Sequence, residues 1–468
     1  MNKVLKNTVY QAIYQVLQII LPLITVPIVS TALGPKGVGI FNYTNSITNY
    51  FVLVAGLGLA NYGVREIASV RDNKEALSKR FWELEYLNIF IAVGILAVFF
   101  LITPNLNYSQ YYLIESLMII AALLDISWLY IGLEDFGKIS LANFIVKVVS
   151  FMLIVYLVHN EGDLWKYIFI QSISTLLSQS VLWLPLRNKV SYMLVSLKDI
   201  WRHFMPACHY FISKIAITLY TNLNKTLLGI FGTAAAVGFY SNSLTLVTIL
   251  VTLVTSVDEA LLPRMSSLNA KGDEKQMHAI LQKTIHLSMY FTIPLMFGIV
   301  VVTDQLVDWF FGYKFNFIKS IIPIFAPLVV IMPLGISIAR QYLVPKGEIK
   351  SYNLSVIYSA IISVIINIIL VPKYGIYGSI IATMVSETLV TVVRVVDLLK
   401  NTTFRFEYSR IIKIILCSGV MAVTVFYFTN SWSSSIVTTL LQGMLGAVVY
   451  FVTTYIMGVR LPFKIFKR

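Results

Sequence analysis

Lys214 and Lys225 lie eleven residues apart inside one apolar stretch, with Thr218 and Thr221 between them. Eleven residues is about three helical turns, so these four side chains share a face. A charge in mid-membrane costs about 2.5–3.5 kcal/mol on insertion scales and needs a partner or water. The stripe is therefore expected on a cavity, where the ammonium groups would bind a phosphate-bearing ligand as compact point charges. The competing reading pairs one lysine with a carboxylate and lets the other snorkel to the headgroups. Neutral stripes recur at Gln11, Gln15 and Gln18, at Asn42, Asn45 and Asn49, and at Asn242, Thr245, Thr248 and Thr252. Amides and hydroxyls suit sugar hydroxyls. For any one of them, an interhelical hydrogen bond worth roughly 0.6 kcal/mol is the plainer explanation.

The remaining intramembrane charges divide into pairs and candidates. Asp125 and Lys147 stand eleven residues on either side of a turn near Phe136. They are expected at equal depth on neighbouring antiparallel helices, as a structural ion pair. A proton-relay role for Asp125 is the alternative. Glu387, and Glu259 beside Asp258 and Arg264, are coupling or gating candidates. Arg65, closing the second apolar run, would meet a lipid phosphate or act as a positive anchor.

The elements that must position these groups follow from composition. The 468 residues are 57% hydrophobic and 12% charged, far from the roughly 25% charged of soluble domains. The pattern predicts an all-α integral membrane protein with about fourteen spans: 9–32, 40–63, 85–103, 111–133, 139–158, 165–184, 206–230, 238–261, 284–303, 320–343, 351–371, 376–397, 411–429 and 436–458. Of the 36 lysines and arginines, 28 fall in the connections on the side of the N-terminus and 5 on the other. That bias reads as both termini cytoplasmic, and explains the net charge of +14 without nucleic acid. Lys3 and Lys6 precede an apolar stretch read as an uncleaved first helix. The alternating charges of 71–80 read as a surface amphipathic helix. Prolines 22, 27, 323, 327 and 333 are hinge candidates. Cys208 and Cys417 form neither a disulfide framework nor a metal spacing, and no cofactor is expected. No connection is long enough to fold as a catalytic domain, so an enzyme is not expected.

Leu33-Gly34 with Val38-Gly39-Ile40-Phe41 recurs as Phe231-Gly232 with Val237-Gly238-Phe239-Tyr240. The repeat suggests a six-helix lobe at 1–203, a second at 204–400, and two further helices with a basic tail at 401–468. These segments, with Asn61-Tyr62-Gly63-Val64-Arg65-Glu66, Trp128-Leu129-Tyr130-Ile131-Gly132-Leu133-Glu134, Leu343-Val344-Pro345-Lys346-Gly347 and Pro372-Lys373-Tyr374-Gly375, carry a resemblance over nearly the whole chain. It resembles the Wzx-type polysaccharide transporters of the multidrug/oligosaccharidyl-lipid/polysaccharide (MOP) superfamily. The resemblance implies two lobes around a cavity, alternating access, and an undecaprenyl-pyrophosphate-linked oligosaccharide as substrate. Membrane lipids, and the polymerase and glycosyltransferases of the same pathway, are the partners it suggests. A lipid II-type flippase and a cation-coupled drug antiporter of the same superfamily are the alternatives.

Overall fold

The computed structural model describes residues 3–459, with side chains from Ile20 onward except those at 136, 138, 139, 141, 142, 212–214, 216, 217 and 220. Among the described residues there is no strand. The first helix, α1 (Lys3–Ala55), is 53 residues long. At 1.5 Å per residue that is about 80 Å, far more than a roughly 30 Å hydrocarbon core. Gly34 divides it, with φ 65° and ψ 178°. Pro35 follows as a natural first residue of the second arm.

Then come α2 (Leu59–Val70), α3 (Lys74–Ile102), α4 (Ser109–Leu123), α5 (Ser127–Gly132), α6 (Phe136–Leu157), α7 (Leu164–Ser180), α8 (Leu197–Trp201) and α9 (Phe204–Phe231). The chain continues through α10 (Ala234–Ala270), α11 (Glu274–Phe310), α12 (Ile318–Phe325), α13 (Leu328–Ile338), α14 (Ile349–Tyr374), α15 (Ile376–Asn401), α16 (Tyr408–Thr429) and α17 (Ile436–Ile456). Among the described residues eleven helical stretches are long and apolar enough to cross a membrane, and one of them, Ile20–Val70, runs for 51 residues. Counting that stretch as two crossings and adding α6 and α9 gives fourteen.

Several helices are broken where the sequence supplies a reason. Between α1 and α2 the chain turns through Leu57 (φ 32°) and Gly58 (φ 70°). A Cβ on Gly58 would also stand 2.8 Å from the Ala207 carbonyl oxygen. Leu124, Asp125 and Ile126 separate α4 from α5. Pro327 separates α12 from α13, and a π-helical turn follows at Ala339–Leu343. The proposed surface helix at 71–80 is not separate. Asn73 caps the backbone N–H groups of Glu75 and Ala76, and Lys74–Arg80 forms the first turns of α3. Of the charges in 71–80, Lys79 and Arg80 face a polar cluster described below, Arg71 pairs with Glu134, and Asp72, Lys74 and Glu75 are exposed.

The chain forms two compact units, Met1–Gly229 and Ile230–Arg468. By packing, α9 therefore goes with the first unit, whereas the repeat places a boundary at 203/204. The second arm of α1 holds it: Ser46 Oγ and Thr226 Oγ1 are 2.8 Å apart. At Gly229 the helices touch, and a Cβ there would lie 2.0 Å from the Tyr43 ring. Gly229→Ala is expected to destabilise the protein by about 1–3 kcal/mol through overpacking, read as a lower unfolding midpoint in detergent.

In the second unit, α11 is the centre on which α13, α16 and α17 pack. Its core includes Met265, Leu281, Ile338, Cys417 and Tyr450. The outward faces of α14, α16 and α17 carry Ile361, Ile365, Val423, Phe428 and Val448. A contiguous apolar exterior of this kind requires lipid as its solvent.

Candidate functional site

Of the cationic stripe, Lys225 is resolved in detail and the Lys214 side chain lies outside the described residues, as do those of Gln15 and Gln18. Lys225 Nζ donates to Asn42 Oδ1 over 3.2 Å, and Asn42 in turn donates to the Val38 carbonyl oxygen. The structure thus joins two of the predicted stripes, on α9 and on the second arm of α1. Among the described residues no carboxylate lies within ion-pair distance of Lys225. Thr221 is exposed and donates to the carbonyl of Thr218 one turn earlier. Asn49 donates to Asn45 (2.7 Å), and Asn45 points to Met118 Sδ on α4. In the second unit Thr248 and Thr252 likewise bond carbonyls of their own helix, those of Thr245 and Thr248.

The ion pair expected between Asp125 and Lys147 is not formed. Asp125 Oδ1 accepts from the Ser127 N–H at 2.9 Å and so starts α5, while Lys147 is exposed. The error lay in assuming that consecutive spans are neighbours: α4 packs on α7, and α6 on α1 and α7.

Three buried acids of α3 and α4, Glu83, Glu85 and Glu115, escaped the sequence reading. Glu115 is fully buried and accepts from Thr44 Oγ1 (2.8 Å) and Thr48 Oγ1 (2.5 Å) on α1. An acidic residue in the fourth span opposite hydroxyls four residues apart in the second was the signal available. Glu83, also fully buried, gathers cations. Its Oε2 lies 2.7 Å from Arg202, 3.0 Å from His203 Nε2 and 3.3 Å from Arg80. Arg80 also pairs with Glu66. Tyr62 Oη and His203 Nδ1 lie 2.6 Å apart, a hydrogen bond whose direction follows the imidazole tautomer. Arg65, exposed, donates to the Tyr210 hydroxyl at 3.1 Å. The cluster pins the segment before α9 to the start of α3.

Desolvation holds the His203 imidazolium below its ordinary pKa, outweighing the attraction of Glu83. A histidine so depressed binds fewer protons folded than unfolded. Its contribution is complete above the unfolded value of about 6.5 and declines as pH falls through it. The unfolding midpoint should therefore fall between about pH 7 and pH 5, and His203→Gln should flatten that slope.

In the second unit Asp258, buried, accepts from Ser337 Oγ at 2.9 Å and from Gln341 Nε2 at 2.5 Å. Gln341 sits in the π-helical turn and accepts from Thr284 Oγ1. The network ties α10, α11 and α13 across a helix irregularity of the kind found at functional positions. Beside it Glu259 pairs with Arg340 at 2.9 Å. Glu387 is half-buried on α15. One face along, Arg394 donates to Ser355 Oγ and to the Gly335 carbonyl and stacks on Tyr352. An almost wholly apolar cavity of about 370 Å³ opens among α10, α11, α16 and α17, lined by residues such as Phe291, Leu295, Val302, Met421 and Phe451.

The described residues make fourteen crossings, several of them broken beside buried charge, and this is the architecture of the MOP fold. The fold is similar to that of the lipid II flippase MurJ in an inward closed conformation (TM-score 0.74, 16% identity, covering 96% of this chain and 98% of that one). It is also similar to an inward-facing multidrug resistance MATE transporter of the MOP superfamily (TM-score 0.60, 13% identity, 87% and 98% covered).

Residues 4–269 match the family described as polysaccharide biosynthesis protein. The chain belongs to that family. A putative O-antigen transporter of Escherichia coli K12 is 23% identical over 397 residues, covering 82% of this chain and 94% of that protein. A probable low-salt glycan biosynthesis flippase, Agl15, of Haloferax volcanii is 27% identical over 217 residues, 46% of each chain. The protein is thus a multi-pass membrane protein of that family.

Proposed function

We propose that the protein moves an undecaprenyl-pyrophosphate-linked oligosaccharide repeat unit from the inner to the outer leaflet of the cell membrane by alternating access, with both termini cytoplasmic. The observation that carries the reading is Lys225. Its ammonium is held by a neutral amide inside an apolar span, so its charge remains for an anion that arrives with the substrate. A pyrophosphate supplies that anion, and Lys214 on the same helix would supply a second contact. The amides of Asn45 and Asn49 suit the sugar. The apolar cavity of the second unit suits a polyprenyl tail, which gains about 0.8 kcal/mol per buried CH₂ only relative to water and so exchanges with lipid at little cost. A drug antiporter selecting organic cations would place a carboxylate, not an ammonium, at this position.

The test is to deplete the protein in its native cell and determine which leaflet holds the lipid-linked repeat unit. Accumulation on the inner leaflet, reversed by re-expression, is the expected result. An unchanged inner-leaflet pool would remove the lipid-linked substrate from consideration. Accumulation of lipid II instead would assign the chain to that substrate.

A further inference from the structure

An open pocket of about 260 Å³ lies in the second unit, between the first turns of α11 and the connector that joins α15 to α16. Lys275, His278, Ala279 and Gln282 line it from α11, and Thr403 and Phe404 line it from the connector. The connector is fixed in place. Gln282 Nε2 donates to the Arg405 carbonyl oxygen at 2.5 Å, the Arg405 N–H donates to Gln282 Oε1 at 3.3 Å, and the Glu407 N–H donates to His286 Nε2 at 3.0 Å. Phe404 stacks on the His286 ring, with 6.0 Å between centroids and 19° between planes. The pocket is therefore formed before any ligand arrives, which keeps the ordering cost of binding small.

Its donors are unpartnered. Among the described residues Lys275 has no carboxylate within ion-pair distance, and the Thr403 hydroxyl has no hydrogen-bond partner. His278 Nε2, shielded from bulk water, has none either. Lys283 and Arg405 follow Gln282 and Phe404 directly in the chain and are exposed. The acids nearest in sequence are engaged. Asp273 accepts from the Gln276 N–H at the start of α11, Glu274 pairs with Lys346 at 2.8 Å, and Glu407 pairs with Arg410 at 3.2 Å. The depth also fits a headgroup. The apolar run of α11 begins near Thr284. At 1.5 Å per residue, Gln282 and Ala279 stand about 3 and 8 Å outside it along the helix axis. The headgroup layer on one side of a bilayer is roughly 5–7 Å thick. α16, which packs on α11, turns Ile412, Ile415 and Leu416 outward beyond the connector. A phosphate in the pocket is thus next to an apolar exterior along which acyl chains can lie. Basic pockets between transmembrane helices hold anionic headgroups in this way.

We propose that this pocket binds the phosphate of an acidic glycerophospholipid from the adjoining leaflet, with the Lys275 ammonium and the Thr403 hydroxyl as donors. Lys283 and Arg405 add positive field beside it, and the small side chain of Ala279 leaves room for the phosphate. The bound lipid would tie the connector, and through it α16, to the start of α11. A free phosphate could use the same donors but would gain nothing from the apolar exterior. A zwitterionic headgroup brings its own cation, which the lysine repels. The site goes beyond the flippase reading and does not rest on it.

The experiment uses the full-length protein in a neutral detergent and measures retained lipid by native mass spectrometry. The probes are phosphatidylglycerol, phosphatidylcholine and inorganic phosphate. The parent is expected to retain a phosphatidylglycerol in preference to phosphatidylcholine. Lys275→Gln should weaken that binding about fivefold, the effect of one lysine at an anionic headgroup. Ala279→Phe should abolish it, because the ring fills the pocket without changing the charge. Lys198→Gln, at an exposed lysine of the first unit, should leave it unchanged. Diffuse attraction to a basic face would respond equally to Lys275→Gln and Lys198→Gln and ignore Ala279→Phe, and that result overturns the proposal. So does equal retention of the two lipids. So does displacement of phosphatidylglycerol by millimolar inorganic phosphate, which would assign the site to a free anion. Should Ala279→Phe fail to fold, Lys275→Gln/Arg405→Gln against the charge-matched control Arg187→Gln/Lys198→Gln decides: loss in the first alone supports the site, and equal loss in both refutes it. No polyprenyl lipid enters these measurements, so their failure is separable from failure of the flippase reading.

Discussion

Glu83→Ala is expected to destabilise the protein by about 3 kcal/mol, seen as a fall of several degrees in the unfolding midpoint. The substitution removes the one carboxylate that Arg80, Arg202 and His203 share. Removing one partner of a buried ion pair typically costs about 3–5 kcal/mol, because a desolvated charge is left behind. The lower end applies here, since Arg202 keeps about half of its side chain exposed and can turn to water. Glu83→Gln retains the shape and one acceptor oxygen and should lose less. A midpoint unchanged by Glu83→Ala would show that the segment before α9 is held by packing alone, through contacts such as Gly58 against Ala207.

Lys225→Met should act in the opposite sense on stability and function. An ammonium in a span costs about 2.5–3.5 kcal/mol on insertion scales, and Asn42 returns only part of that with one hydrogen bond. Replacing it by an apolar chain of similar length is therefore expected to leave the midpoint unchanged or raise it. Translocation of the lipid-linked repeat unit should nevertheless fall at least about tenfold, the equivalent of 1.4 kcal/mol of lost interaction with a phosphate, while Lys225→Arg keeps part of it. A residue that merely supports the fold would lose stability and activity together. Full activity in Lys225→Met at matched expression would remove this side chain from the substrate path.

The spans were legible because a bilayer imposes a length and a composition that hydropathy reads directly. The breaks at Gly34 and Pro327 were legible for the same reason that glycine and proline punctuate any helix. Adjacency was not. The Asp125–Lys147 pair was inferred from equal spacing about a turn, but α6 packs on α1 and α7, leaving Asp125 to accept from the Ser127 N–H and Lys147 exposed. Glu85 and Glu115 were passed over because a single acid in an apolar run has no local signature of burial. What marks Glu115 is the pair of hydroxyls at Thr44 and Thr48, about seventy positions away. The Glu83 cluster was misread for a related reason, since the charges of 71–80 look the same in sequence whether they face headgroups or a buried acid.

The α14–α15 hairpin has a bearing on how the chain is made. Its two helices carry Ser355, Ser359, Ser363, Asn367, Ser379 and Ser386, all fully buried, and Gly378 lets the two backbones meet so closely that a Cβ would stand 2.6 Å from Leu370. Most of these groups bond within their own helix: Ser355 to Tyr352, Ser359 to Ser355, Asn367 to Ser363 and Ser386 to Ala382. The two helices can therefore leave the translocon with their backbones and most hydroxyls already satisfied, and zip together in lipid through small residues before α16 and α17 have been synthesised. The late part of the second unit is then assembled onto a finished hairpin, rather than waiting for the C-terminus to complete a core.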